Sequence, residues 1–194
     1  MKSSCSLLVI LLLLLRAATA QPSENPVVVI KTEMGEIELT IFEKEAPVTA
    51  ANFMTYVKKG MFKGASFYRV VTMENQPLNN IKIEVIQGGL GWADSLVRLA
   101  PIQHESTSET GLHHLDGTLS MARDQPGSAA SEFFICINPQ PELDYGGRRN
   151  PDGQGFAAFG KVIRGMDVVR KIQHQPNTDQ FLKPVIKILS VETR

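Results

Sequence analysis

Cysteine is nearly absent from this chain of 194 residues, which has only Cys5 and Cys136. Cys5 falls in the apolar opening stretch, so the body of the protein keeps one thiol and cannot close an internal disulfide. Its stability must come from packing. Cys136 stands in the apolar run 131–137, where a buried, inert thiol is expected rather than a nucleophile. An excess of charge is absent too. Twenty Lys and Arg face twenty Asp and Glu, with no basic block, so nucleic acid has no electrostatic support as a partner. The chain also lacks an HExxH motif, an EF-hand spacing, a G-x-S-x-G elbow and a phosphate loop. No metal is therefore expected. No internal repeat or composition shift marks a second domain, and the length suits one core.

The opening MKSSCSLLVILLLLLRAATA is different in kind. Lys2 precedes an apolar block at 7–15, and Ala18-Thr19-Ala20 has the small-x-small form of a cleavage site. The block is shorter than the roughly 20 residues that span a bilayer, and Arg16 interrupts it. A signal peptide over 1–20 is the expectation, ahead of a permanent membrane anchor. Cys5 precedes the block, so it offers no lipid anchor after cleavage. A lead-in at 21–26 and one domain at 27–194 follow. Without Lys2 and Arg16 the exported chain carries 18 basic and 20 acidic residues. The ending VETR is not a KDEL-type retention signal. The expected location is the periplasm or the extracellular space, with no stable membrane anchor, and the expected state is a monomer.

Within the domain, VVVIKTEMGEIELTIF (27–42) reads as a hairpin turning at Glu33-Met34-Gly35. Ile37, Leu39 and Ile41 alternate with Glu36, Glu38 and Thr40, the period of a half-buried strand. Pro47 opens an amphipathic helix that places Ala50, Phe53 and Val57 on one face. Lys58 and Lys59 lie in its last turn, and Gly60 supplies the cap. Strand-like runs recur at 65–71, 81–89, 117–122, 131–137, 156–163 and 184–192, with a second short helix at 165–173. Many strands, two helices and no βαβ alternation predict a mainly β protein with an antiparallel sheet. Its lack of an exposed edge predicts closure into a barrel with the helices over its ends. The polar stretch 72–80 and the Gly-, Asn- and Asp-rich stretch 143–155 read as loops.

Most chemical constellations dissolve on inspection. His113 and His114 are adjacent and cannot both face one ion from a regular strand, so with His104 they read as solvated loop histidines. Asp144, Asn150 and Asp152 read as turn formers rather than calcium ligands. Ser128 and Ser131 lack a nucleophile elbow, and Glu84 with Glu132 is a weak carboxylate pair. Other residues combine better. Arg69 interrupts the apolar run FYRVV. Val85 and Gln87 share one face of IEVIQGG, with Ile86 opposite. Glu132 and Phe134 share one face of SEFFICI, with Phe133 opposite, so one ring fills the core and the other walls a surface pocket. The small residues of DQPGSAAS (124–131) leave room beside it. An apolar wall with one cation and one amide suits a peptide bearing an apolar ring, and plain packing would use the same residues.

In order, FYR, IQGG, GTLSMA, SEFFI, FGKV and GMDVV resemble the cyclophilins, a prolyl-isomerase family, over about 27–192. LDYGGRRNPDGQGFAAFG and IEVIQGG resemble the bacterial branch. The resemblance implies a closed eight-stranded antiparallel β-barrel capped by two α-helices, and catalysis of cis/trans isomerisation at X–Pro bonds of proline-containing polypeptides without a cofactor. It implies Arg69 as the donor towards the prolyl nitrogen and Gln87 as the holder of substrate backbone. It further implies Phe134 beneath the proline ring with Leu143 beside it, and Ala122 at the strand end where substrate pairs. Val85, Arg123, Glu132 and Phe156 complete the implied substrate-binding set. The family's usual residues differ at several of these: an asparagine at Arg123, an aromatic-methionine pair at Glu84-Val85, a glutamine at Glu132, a tryptophan at Glu142 and a histidine at Phe156. The acids Glu84, Glu132 and Glu142 raise two expectations. One is a preference for substrates with a basic flank. The other, an alternative to catalysis, is a non-catalytic proline-peptide-binding chaperone or scaffold on the same barrel.

Overall fold

The computed structural model describes residues 25–91 and 96–194. The predicted leader at 1–20 and residues 21–24 of the lead-in lie outside them. Strands β1 (Val27–Thr32) and β2 (Gly35–Ile41) form the expected hairpin, with Thr32 paired to Gly35 at its tip. Ile37, Leu39 and Ile41 are fully buried, as their alternation predicted. Glu38, read as wet, is buried as well. Arg164 and Arg194 both donate to its carboxylate, and both arginines stay largely exposed while Glu38 is covered.

Helix α1 (Pro47–Lys58) buries Ala50, Phe53 and Val57, and Gly60 takes the left-handed conformation just past its end. No side chain of its own caps its start. The Glu105 carboxylate accepts the Val48 and Thr49 amides at 3.0 and 2.7 Å instead, a negative charge at the positive end of the helix. The chain continues through β3 (Ser66–Val71), β4 (Val85–Gly89), a one-turn α2 (Thr107–Thr110), β5 (Thr118–Met121), β6 (Phe133–Cys136), β7 (Ala157–Arg164), α3 (Met166–Gln173), β8 (Asn177–Thr178) and β9 (Phe181–Thr193). Sequence periodicity missed α2 and β8, which are too short to show one. The run 81–89 is a strand only from Val85. Before it, the Gln76 side chain rather than a neighbouring strand bonds the backbone of Ile83.

Every pairing is antiparallel. The order β1-β2-β7-β5-β6-β4-β3-β9 closes through a β1–β9 pairing, and β8 adds only a short hairpin on β9. Eight strands thus form the barrel, and closure leaves them no edge. Its core is aromatic. Phe53, Phe62, Phe133 and Phe159 pack with ring centroids 5.2–5.8 Å apart, and Phe67 joins through Phe133. Helix α1 supplies Phe53 to this cluster, and α3 packs Val168, Val169 and Ile172 against the barrel from elsewhere.

Candidate active site

A second, smaller apolar cluster lies on the outside of the same wall: Val71, Ile83, Val85, Phe134, Cys136 and Leu143, with Ala122 and Phe156 packed against it. It floors a groove of about 670 Å³. Strand alternation splits the paired rings as expected, with Phe133 in the core and Phe134 in the groove. Likewise Ile86 faces inward while Val85 and Gln87 face the groove.

Simple alternation fails in β3, and the failure makes the site. Phe67 pairs with Gly88 of β4 while Arg69 pairs with Gln87, so Tyr68 is an extra, bulged residue. Phe67 and Val70 stay in the core, and both residues between them turn outward to the groove. Without the bulge, Arg69 would share the face of Phe67. The guanidinium now donates from Nη1 to Gln87 Oε1 at 2.8 Å, and from Nε and Nη2 to Gln180 Oε1 at 3.0 and 2.6 Å. Gln180 sits at the β8–β9 turn with φ +73°, and its own amide nitrogen is tied to the Asn75 carbonyl. Gln87 Nε2 donates to the Tyr68 hydroxyl at 2.9 Å, and that hydroxyl donates to Glu132 at 2.6 Å. Burial, then the Glu132 charge, pushes the Tyr68 phenol well above its ordinary value, so it stays protonated. Burial lowers Arg69, but an arginine remains cationic at any physiological pH.

The structure corrects the expected acidic rim. Glu84 binds Asn138 and Glu142 binds Arg148, and neither lines the groove. Glu132 does line it, but its carboxylate already accepts from Tyr68, from Ser131 Oγ at 2.8 Å and from the Gly91 amide at 3.1 Å. Gly89 makes room for it: at φ +142°, a Cβ there would come within 2.6 Å of Glu132 Oε2. Arg123 also lines the groove, though all its donors are used. They reach Asp152, the Gly155 carbonyl and the Asp124 carbonyl at 2.5–3.2 Å. Its guanidinium lies 5.2 Å over the Phe156 ring, and it holds the exposed Asp152 carboxyl at about 2. Arg123 therefore braces the turn that carries Phe156. The Ala122 amide is spent on the Glu132 carbonyl. Leu143 and Phe156 line the groove, with Phe156 edge-on to Phe134 at 5.3 Å.

His114 is a correction as well, since it is buried rather than solvated. Its ring stacks behind Phe134, Nδ1 meets Asp144 at 2.6 Å and Nε2 meets Ser120 Oγ at 2.9 Å. The order is that of a hydrolytic triad. Ser120, however, is fully buried and touches no part of the groove, so the set supports the groove floor and offers no nucleophile. Burial drives His114 towards its neutral form. Asp144, though partly desolvated, is held below the usual carboxylate range by hydrogen bonds from His114 and His113. Cys136 is fully buried with its thiol pushed up by desolvation, the inert state expected. Among the described residues no cluster of three metal-ligating side chains occurs, and no helix is long and apolar enough to cross a membrane.

Sequence reasoning missed Tyr68, Arg149 and Gln180 in the groove wall. Tyr68 stood beside Arg69 in FYR and could have been noticed. Arg149 and Gln180 come from loops whose only signal was turn composition.

Residues 27–193 match the family model for cyclophilin type peptidyl-prolyl cis-trans isomerases. The chain is 36% identical to a peptidyl-prolyl cis-trans isomerase of Acinetobacter baylyi over 185 residues, covering 91% of this chain and 89% of that one. It is 37% identical to peptidyl-prolyl cis-trans isomerase A of Dickeya dadantii over 149 residues, covering 75% and 70%. The fold is similar to a Cryptosporidium parvum cyclophilin type isomerase crystallised in the presence of the dipeptide Ala-Pro. That likeness has a TM-score of 0.69 at 22% identity and covers 87% of this chain and 98% of that one.

Proposed function

We propose how this chain, which belongs to the cyclophilin-type peptidyl-prolyl cis-trans isomerase family and is an enzyme of that class, does its work: it turns X–Pro bonds of exported polypeptides in the groove beside Arg69. Rotation of such a bond breaks amide resonance and costs about 20 kcal/mol uncatalysed. As resonance is lost, the prolyl nitrogen becomes pyramidal and basic. A donor aimed at it binds the twisted state more tightly than either planar state, which lowers the barrier. Arg69 is that donor. The observation that carries the reading is its clamping between Gln87 and Gln180, above an apolar floor of Phe134, Val85 and Leu143. A fixed cation costs no reorganisation during the reaction. Gln87 orients substrate backbone, Phe134 receives the proline ring, and Phe156 and Ala122 bound the cleft, with Arg123 and Glu132 bracing its walls. No cofactor takes part.

We further propose export. Support comes from the apolar block at 7–15 followed by Ala18-Thr19-Ala20, with cleavage after residue 20 and one domain at 27–194. The product works as a monomer in the periplasm or outside the cell, in the manner of the bacterial branch, and assists the folding of other exported proteins. The test is isomerisation of a proline tetrapeptide by the purified protein beside Arg69→Ala. A wild-type rate about a hundredfold or more above the variant is expected. Equal rates would reduce the groove to a peptide holder. Mass determination of the exported product, starting at Gln21, tests the leader.

A further inference from the structure

The arginines of this protein differ in how they are answered. Arg123, Arg148 and Arg170 each meet a carboxylate, and Arg164 and Arg194 share Glu38. Arg69 and Arg149 both line the groove, both are partly buried, and neither has a described carboxylate within ion-pairing distance. They are close enough for the Arg69 charge, after burial, to lower Arg149. Only one guanidinium nitrogen of Arg149 meets a described acceptor. Nη1 donates to the Gln76 side chain at 3.0 Å and to the Ile81 carbonyl at 2.6 Å, which fixes the guanidinium, while Nε and Nη2 have no acceptor among the described residues. The described carboxylates of the groove lie elsewhere. Glu132 lies under Gly89 and Gly91, at one end of β4, and Asp124 is in the β5–β6 loop. Arg149 is held by the chain that enters the other end of β4. Two partly buried cations in one cavity, with no carboxylate partner among the described residues, leave a charge that a ligand anion can satisfy, and there it is screened less than on open surface.

We infer that the groove selects substrates bearing an acidic side chain next to the proline, with its carboxylate on Arg149 and in the field of Arg69. This rests on the isomerase reading and deepens it. Arg149 is a specificity residue, with no part in the bond rotation. The preference is the opposite of that suggested by counting the acids in the sequence.

The test uses tetrapeptides blocked at both ends, with Glu, Gln or Lys placed one position before or one position after the proline. For the favoured position, kcat/KM with Glu should exceed that with Gln by about three- to tenfold, and Lys should be worst. The Glu advantage should shrink as salt rises from low to high. Arg149→Gln should bring the Glu-to-Gln ratio to one, and Arg149→Lys should keep most of it. A matched set with free C-terminal carboxylates shows whether the terminal anion takes the same place. A Glu-to-Gln ratio of one at both positions, with the neutral peptide still turned over, overturns the proposal, as does a ratio that survives Arg149→Gln. If no peptide is isomerised, the isomerase reading fails instead. The ratio of dissociation constants for the same peptides then decides between an acid-selecting groove and an indifferent one. That measurement also serves should Arg149→Gln fold poorly, since it needs wild type alone.

Discussion

The inner and outer faces of the wall formed by β3, β4 and β6 are built from neighbouring residues of the same strands, alternating in β4 and β6 and shifted by the bulge in β3, yet they differ in every respect that matters. Inward, Phe67, Ile86 and Phe133 join an apolar cluster that is closed on all sides. Outward, Phe134 and Val85 belong to a small apolar floor, and polar side chains surround it: Arg69, Gln87, Tyr68, Glu132 and Gln180. The inner face is redundant, because many residues share each contact. The outer face is a chain of hydrogen bonds running Glu132–Tyr68–Gln87–Arg69–Gln180, one at each link but the last, where Arg69 gives two. Stability and function are thereby separated by one residue of register.

That separation can be broken experimentally. Phe133→Ala should cost about 3–5 kcal/mol in urea unfolding, because it opens a cavity among packed rings. Phe134→Ala should cost clearly less and instead raise KM for proline peptides. If the two lose equal stability, the outer cluster is core as well. Next in size is Gln180→Ala. It leaves Arg69 with Gln87 as its only amide partner and should lower kcat about tenfold, with KM little changed. Gln180→Gly should lower kcat similarly while not lowering the melting temperature, since glycine accepts the positive φ without strain. A fall in melting temperature matching the loss of activity would make Gln180 merely structural.

The smallest effect concerns pH and the support behind the floor. His114 has its folded pKa depressed by burial, so the unfolded chain binds the proton first. Its contribution to stability is intact above the ordinary histidine value of about 6.5 and is lost as pH falls below it, by at most about 1.4 kcal/mol per pH unit. Thermal melts from pH 7.5 to 5 should show this slope, and His114→Gln should flatten it. A slope unchanged in the variant would place the titration elsewhere.

The order of strands and helices and the side facing the core could be read from the residues, because they rest on local alternation. Ile37, Leu39 and Ile41, and Phe133 against Phe134, needed only their own neighbours in sequence. Glu38 and His114 were misjudged for the opposite reason. Charge and polarity were read as exposure, whereas each is held by a partner or a ring brought in from elsewhere in the chain, such as Arg164 for Glu38, and Asp144 and Phe134 for His114.

By itself, then, the sequence determined an antiparallel barrel with two covering helices, the split of the paired phenylalanines, and Arg69 with Gln87 as the pair to watch. Only the tertiary structure decided that Arg69 faces the groove, since the bulge at Tyr68 exists only in the register of β3 against β4. Only the tertiary structure decided which charges are answered. Gln180 reaches Arg69 across 111 residues and Arg149 reaches Gln76 across 73, and no periodicity carries information over such distances.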